Sequence, residues 1–399
     1  MNKYNIIEFG AKANALSTKA IQSAIDKCHA EGGGVVEISG GRYISGTIFM
    51  KSNVNLRIEG GATLQMSTNM EDYPDFPCEW DVREAPRFSA RCFIYVGNCE
   101  NCSITGLGTI DCMGAEFCEV NPNPEYSETD PFLEKRMIRK ADLDKSIGRM
   151  IFVMKSKNIT LADFTMKDMA GGWAIWINGC EKVNVHDLKI SCNPNYPNSD
   201  GVHINCSKDV FVTDCAIHTG DDAIIVRANT NTLNEDIPCE NVIIKGCALS
   251  SHCQAIRVGW INDGAIRNCI FSDLVISDSR DAISIVLPPY SVPGDLGKNV
   301  TRIENLSFNN IVIDRTERYP INIVIYESEI TKCEYVRNIQ FNNLDSKTKL
   351  PPRIMGRKST YVEDVSFTNC RFEVAEKVYL GELPRYVKNF RTDCVWNID

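Results

Sequence analysis

Lys182-Val183-Asn184-Val185, Asp209-Val210-Phe211-Val212 and Asn241-Val242-Ile243-Ile244 render one phrase three times: a polar turn residue, then a short run with valine or isoleucine at alternate positions. Their valines Val183, Val210 and Val242 are 27 and then 32 residues apart. Asn158-Ile159-Thr160-Leu161 and Arg337-Asn338-Ile339-Gln340 repeat the pattern. Periods in this range mark a solenoid. Each copy holds two or three strands of about four residues, too little to bury a face alone. Stacking the copies in parallel buries one continuous core and sets like turn residues, asparagines and cysteines, in ladders. A sandwich needs hairpin signals every 8–12 residues or so, and these are missing. The fold class is all-β, a stacked parallel solenoid.

The start of the chain differs. Ser17 to Cys28 carries Ala20, Ile21, Ala24, Ile25 and Cys28 at helical spacing, with Ser17 as N-cap and Gly32-Gly33-Gly34 as terminator. A helix there, inside a cap region of residues 1–50, would cover the open edge of the solenoid. Glu71 to Lys145, with Pro74, Pro77, Pro86, Pro122, Pro124 and Pro131, reads as long loops over one face, walling a cleft. No linker divides the chain, so residues 1–399 are expected to form one domain.

Composition narrows the function. A net charge of −9 with no basic block argues against a nucleic-acid partner, and against a polyanion unless a local basic patch exists. No run of about 18 apolar residues is present, so no membrane partner is expected. The 18 cysteines are scattered, without paired CxxC motifs, and read as reduced and structural. The Asn-x-Ser/Thr triplets at Asn158, Asn205, Asn299 and Asn305 arise easily in an asparagine-rich chain. No basic and apolar leader opens the sequence. The expected location is the cytoplasm, or outside the cell if a signal has been trimmed.

Two phrases carry chemistry: Pro197-Asn198-Ser199-Asp200-Gly201-Val202-His203-Ile204 and His218-Thr219-Gly220-Asp221-Asp222-Ala223-Ile224-Ile225-Val226-Arg227. Asp200 and Asp221 are 21 residues apart, about one repeat, so both acidic turns fall on one flank. Like charges packed together cannot all ionise; one carboxyl keeps a proton beside others that stay charged. Glycoside hydrolysis needs that pairing, an acid for the leaving oxygen and a base for water. A single such turn would be an Asx-turn ending a strand; an Asp-Asp stacked on a second acidic turn is costly without a function.

These phrases resemble the Asn-Thr-Asp and Gly-Asp-Asp motifs of glycoside hydrolase family 28, the polygalacturonase family. Phe9-Gly10-Ala11, Ala20-Ile21-Gln22 and Gly32-Gly33-Gly34 are similar to the cap segment of pectin-degrading β-helices. The resemblance, over about residues 5–375, implies a right-handed parallel β-helix and an inverting hydrolase with no metal or other cofactor. By position it makes Asp221 the general acid, gives the water to Asp200 and Asp222, places Asn198 in the site, and sets Arg227 where many relatives have a lysine.

Two motifs depart from the family. Its Gly-His-Gly corresponds to Ser251-His252-Cys253-Gln254, so the histidine position falls on Cys253 and His252 is displaced by one. Its Arg-Ile-Lys, which holds the substrate carboxylate, corresponds to Ser284-Ile285-Val286. Losing both cations removes the bonds that select an anionic sugar; Arg257 and Arg280 are nearby candidates to replace them, and a different uronate geometry or a neutral sugar is expected. His203 should face outward on the side of the acids. Tyr326 lies near a tyrosine position that relatives use for substrate. Trp173, Trp176 and Trp260 could stack on sugars. His203 and His218 with the aspartates could hold zinc or manganese, but no compact ligand motif supports a metal.

The reading is a glycosidase acting on an α-linked, pectic or related plant-type oligosaccharide, with exo action if the long loops close the pocket. Alternatives are a polysaccharide lyase or epimerase on the same fold and a non-catalytic carbohydrate-binding β-helix.

Overall fold

In a computed structural model, residues 2–75, 91–126, 130, 132–140, 147–169, 171–233, 235–291, 295–375 and 384–398 are described. The polar residue heading each phrase takes a left-handed conformation: Asn158 (φ 56°), Lys182 (59°), Asp209 (56°), Asn241 (56°), Asn268 (57°), Asn305 (57°) and Asn338 (51°). Asparagine and aspartate tolerate that region because their short polar side chains bond locally. The coil therefore bends at the same point on every turn. The amides stack from coil to coil: Asn305 donates to Asn268 at 3.1 Å and Asn338 to Asn305 at 2.7 Å.

Beyond each bend the alternation puts one side inward. Ile159, Val183, Val210, Val242, Cys269, Leu306 and Ile339 are paired in parallel register and buried. Phe271, Phe308, Phe341 and Phe367 form an interior stack with ring centroids 4.5, 4.8 and 4.9 Å apart. Among the described residues the strands form a 23-stranded and a 10-stranded sheet, each paired in parallel, and one small two-stranded antiparallel sheet. The fold is the right-handed parallel β-helix.

The ten-stranded sheet positions the site. In chain order its strands are β1 (Ile48–Phe49), β2 (Cys92–Gly97), β3 (Arg149–Met154), β4 (Trp173–Asn178), β5 (Val202–Asn205), β6 (Ile224–Arg227), β7 (Gln254–Val258), β8 (Asp281–Leu287), β9 (Ile321–Ile325) and β10 (Arg353–Met355). Each is bonded to the next. Along one column lie Phe49, Tyr95, Phe152, Trp176, His203, Ile225, Arg257, Ser284, Asn322 and Arg353.

Helix α1 (Thr18–Ala30) buries Ala20, Ile21, Ala24, Ile25 and Cys28, as its spacing predicts. It also protects the edge. Gln22 donates to the Phe49 carbonyl at 2.9 Å and accepts from the Phe49 N–H at 2.9 Å, so its side-chain amide takes the place of a missing strand beside β1. The capping expectation for Ser17 is corrected: it is the N-cap residue, but its hydroxyl makes no cap bond and turns back to the carbonyls of Lys12 and Ala15.

Two further expectations change. Glu71 to Lys145 is not loop throughout: Cys92–Gly97, Glu100–Thr105 and Thr109–Asp111 form a regular coil, driven by the buried run Cys92 to Val96. The flanking prolines masked that signal. Residues 76–90, 127–129, 131 and 141–146 of this stretch lie outside the described residues. The cysteine ladder is also partial. Cys215 and Cys247 are neighbours on adjacent coils, but Cys102 and Cys269 stand in columns of Ile, Val and Leu, as small hydrophobes do. All described cysteines are free thiols, and all but Cys192 and Cys394 are buried.

Candidate active site

The two acidic turns precede β5 and β6. The Gly201 N–H donates to the Asp222 carbonyl at 2.9 Å and the Val202 N–H to that of Ala223 at 2.9 Å. Val202 pairs with Ile224, so Asp200 stacks on Asp222, and Asp221 stands one residue to the side. The true coil repeat here is 22 residues, not the 21 that would stack Asp200 on Asp221.

The second turn is tightly tied. Asp221 O accepts from Thr219 Oγ1 at 2.5 Å and Ser251 Oγ at 2.7 Å. Gly220 donates to Ser199 Oγ at 3.1 Å. A Cβ on Gly220 would lie 2.5 Å from the Pro194 carbonyl oxygen and 2.7 Å from Ser199 Oγ, so only glycine fits.

All three carboxylates are buried. Asp222 Oδ1 accepts from the Gln254 N–H at 3.1 Å, and its Oδ2 lies 2.8 Å from Arg257 Nη1. Burial pushes the Asp222 carboxyl up to about 6, against the pull of Arg257 and with a further push from Asp221. Asp221 Oδ2 accepts from Arg136 Nη2 at 2.7 Å and Asn198 Nδ2 at 3.3 Å; its Oδ1 accepts from the Asp222 N–H at 3.2 Å.

Cys253 joins the acids: its Sγ and carboxylate oxygens of Asp221 and Asp222 all lie within 4.8 Å of one another. Cys253 thus occupies the place inferred for a histidine. Burial raises its pKa well above the usual thiol value, so it is a neutral thiol. It accepts from Arg280 Nη2 at 3.0 Å. Arg136, Arg257 and Arg280 already supply positive charge to this cluster, which disfavours a metal ion between the same ligands. The imagined metal set is not assembled either, because His218 is exposed on the other sheet, in register with Ser191 and Ser250.

His252 lines a small hollow with Cys253, Arg280, Arg136, Phe132 and Asp130. Its ring stacks on Phe132 at 3.8 Å, and burial lowers its pKa. His203 is buried on the ladder beside the acids, 4.0 Å from the Trp173 ring. Burial first, then Arg227, Arg149 and Arg257, push its pKa well down, so it is neutral. Arg257 and Arg280 both reach the acid cluster.

Two expected binding residues are elsewhere. Arg227 is buried and its guanidinium is taken by two acids: Nε and Nη2 bond Asp263 at 3.0 and 2.8 Å, and Nη1 bonds Asp295 at 3.1 Å. It clasps loops at the far end of β6. Tyr326 follows the end of β9, whereas the acids precede the starts of their strands. Tyr319 stands at the acids' level: the Ala282 N–H donates to its carbonyl at 3.0 Å and its N–H donates to Asp281 Oδ1 at 3.2 Å. Tyr326 is seven residues further on, about 23 Å along an extended strand.

Residues 132–140 and Asp130 carry side chains that no motif announced. Ile138–Arg139 pairs antiparallel with Cys118–Glu119, and the Met137 N–H donates to the Asn195 carbonyl at 2.8 Å. This strap delivers Arg136 to Asp221, Arg139 to Asn198 Oδ1 at 3.4 Å, Asp130 to Arg280, and Phe132 to His252.

The model of the glycosyl hydrolases family 28 matches residues 28–377. The chain belongs to that family. It is therefore counted among the glycosidases. As a family 28 member it is similar to an exo-poly-alpha-D-galacturonosidase of Dickeya chrysanthemi, 28% identical over 55% of this chain but only 41% of that one. An endo-polygalacturonase of Pectobacterium carotovorum subsp. carotovorum is 22% identical over 90% of this chain and 84% of its own length. In fold it is similar to the crystal structure of a hyperthermoactive exopolygalacturonase from Thermotoga maritima, with a TM-score of 0.78, 19% identity, and 99% of this chain and 92% of that one covered.

Proposed function

We propose that this family 28 member hydrolyses an α-linked pectic-type oligosaccharide carrying a uronate, from a chain end, with inversion and without a metal. The observation carrying the uronate is the convergence of Arg136, Arg257 and Arg280 on Asp221, Asp222 and Cys253. They are a local basic patch in a chain of net charge −9, and they stand in for the cations absent at Ser284 and Val286. End-wise action is supported by the ladder on the N-terminal side of the acids, where the aromatic side chains of Tyr95, Phe152 and Trp176 are covered rather than open to a sugar chain.

In the reaction Asp221 gives its proton to the glycosidic oxygen as the bond from that oxygen to C1 breaks. A water held by Asp200 and Asp222 adds to C1 from the opposite face and yields its proton to Asp222. One water is consumed, and the carboxyls exchange their proton through solvent for the next turnover. Buried free thiols support a reducing compartment, the cytoplasm, for the protein and a short imported oligosaccharide as its substrate.

The test is a screen of galacturonide and neutral plant oligosaccharides, with the product anomer read by proton NMR. A β-anomer appearing first from an α-linked galacturonide is the expected result. First appearance of the α-anomer, or an unsaturated uronate absorbing in the ultraviolet, would overturn the reading.

A further inference from the structure

The proton donor of the proposed reaction is held in the wrong state. Both Asp221 oxygens act as acceptors: Oδ2 takes Arg136 Nη2 at 2.7 Å and Asn198 Nδ2 at 3.3 Å, and Oδ1 takes the Asp222 N–H. A carboxylate bonded to a guanidinium is held in its charged form. Asp222, the group needed as base, is itself paired to a guanidinium, Arg257 Nη1 at 2.8 Å, and burial raises its carboxyl only to about 6. The reaction needs a proton on Asp221, which these bonds oppose.

Arg136 is the movable part. Its side chain is 37% exposed, against 19% for Arg257 and 14% for Arg280. Arg257 also binds Gln254 and lies over Trp260, and Arg280 also binds Cys253 and Asp130. Among the described residues, the guanidinium of Arg136 makes one hydrogen bond, to Asp221. Arg136 is thus the most exposed and least tied of the three cations, and the one most readily exchanged.

Resting on the glycosidase reading above, we infer that Arg136 reads the substrate's carboxylate: the uronate draws the guanidinium off Asp221, and this exchange frees Asp221 to take up the proton it will donate. Arg136 is a specificity residue, and acidic sugars arm the site that neutral sugars leave disarmed. No bond to carbon is made or broken in this step. One ion pair replaces another, and a proton from solvent binds Asp221.

The experiment compares wild type, Arg136→Gln and Arg136→Lys on a galacturonic acid disaccharide and on its carboxyl-reduced, neutral counterpart. Calorimetry with galacturonate and galactose gives a readout that does not need turnover. In wild type the acidic disaccharide should turn over with the higher kcat. Arg136→Gln should lower kcat/KM on it by about 10- to 100-fold, the scale of a lost charge-assisted hydrogen bond, and raise turnover of the neutral substrate, because the acid is no longer held by the guanidinium. Arg136→Lys should restore part of the loss. Galacturonate binding should weaken and galactose binding should not. Equal losses on both substrates, no loss on either, or a wild type that prefers the neutral disaccharide would overturn the inference while the glycosidase reading stands. If nothing is cleaved but galacturonate binding still depends on Arg136, the glycosidase reading falls and the carboxylate site survives.

Discussion

Arg257 Nη1 lies 2.8 Å from Asp222 Oδ2, with the aspartate side chain wholly buried. The pair does not fully compensate burial, because the Asp222 carboxyl is still raised to about 6 from its ordinary 3.8. The folded protein therefore binds this proton more tightly than the unfolded chain. Its contribution to stability is complete below about pH 3.8 and is lost as pH rises through about 6. Asp222→Asn lacks this titration. From about pH 4.5 to about pH 8 the stability of wild type relative to Asp222→Asn should fall by roughly 2 kcal/mol. Urea unfolding midpoints of both proteins across that range check this; a pH-independent difference would refute it.

The same carboxyl must be ionised to accept a proton from water. The expected kcat/KM on the acidic disaccharide rises with pH through about 6, the value to which burial brings Asp222. Arg257 lowers that pKa, so Arg257→Met should move the acidic limb to higher pH. A limb that stays in place would detach Asp222 from the rate.

Asp221→Asn keeps the shape of the turn and its backbone ties to Thr219 and Ser251. It should lower turnover by about 1,000-fold or more while leaving the circular dichroism spectrum unchanged. Full activity in this variant would remove Asp221 as the acid.

Arg227 should behave as a structural residue. Removing it strands Asp263, which is completely buried, and breaking such a pair costs about 3–5 kcal/mol. Arg227→Met should lower Tm markedly and leave KM of the folded enzyme unchanged. A raised KM at full stability would return Arg227 to the substrate site.

Gln22→Ala should uncover the edge of β1 by deleting both hydrogen bonds to the Phe49 backbone. A loss of about 1–2 kcal/mol is expected, read by denaturant titration, together with more association at high concentration. Unaltered stability and solubility would show that α1 covers the edge without this residue.

Features within a few residues of one another were legible in advance. The αL bend at Asn241 and the inward Val242 and Ile244 follow from asparagine's tolerance of positive φ and from the period of two. The helix face of Ala20, Ile21, Ala24, Ile25 and Cys28 follows from the period of 3.6. The segment Cys92 to Val96 was misread because neighbouring prolines outweighed a clear β run.

The sequence by itself determined the repeat, the inward column, the helical cap and the acidic turns of Asp200, Asp221 and Asp222, because each depends on local conformational preference and spacing. Only the tertiary structure decided register and partnership. A coil of 22 residues rather than 21 sets Asp200 on Asp222. Arg136 reaches Asp221 across 85 positions of sequence, and Arg227 turns to Asp263 and Asp295 instead of the acids. Such pairings are fixed by which charges are buried together, and burial is a property of the packed coils that no short stretch of residues carries alone.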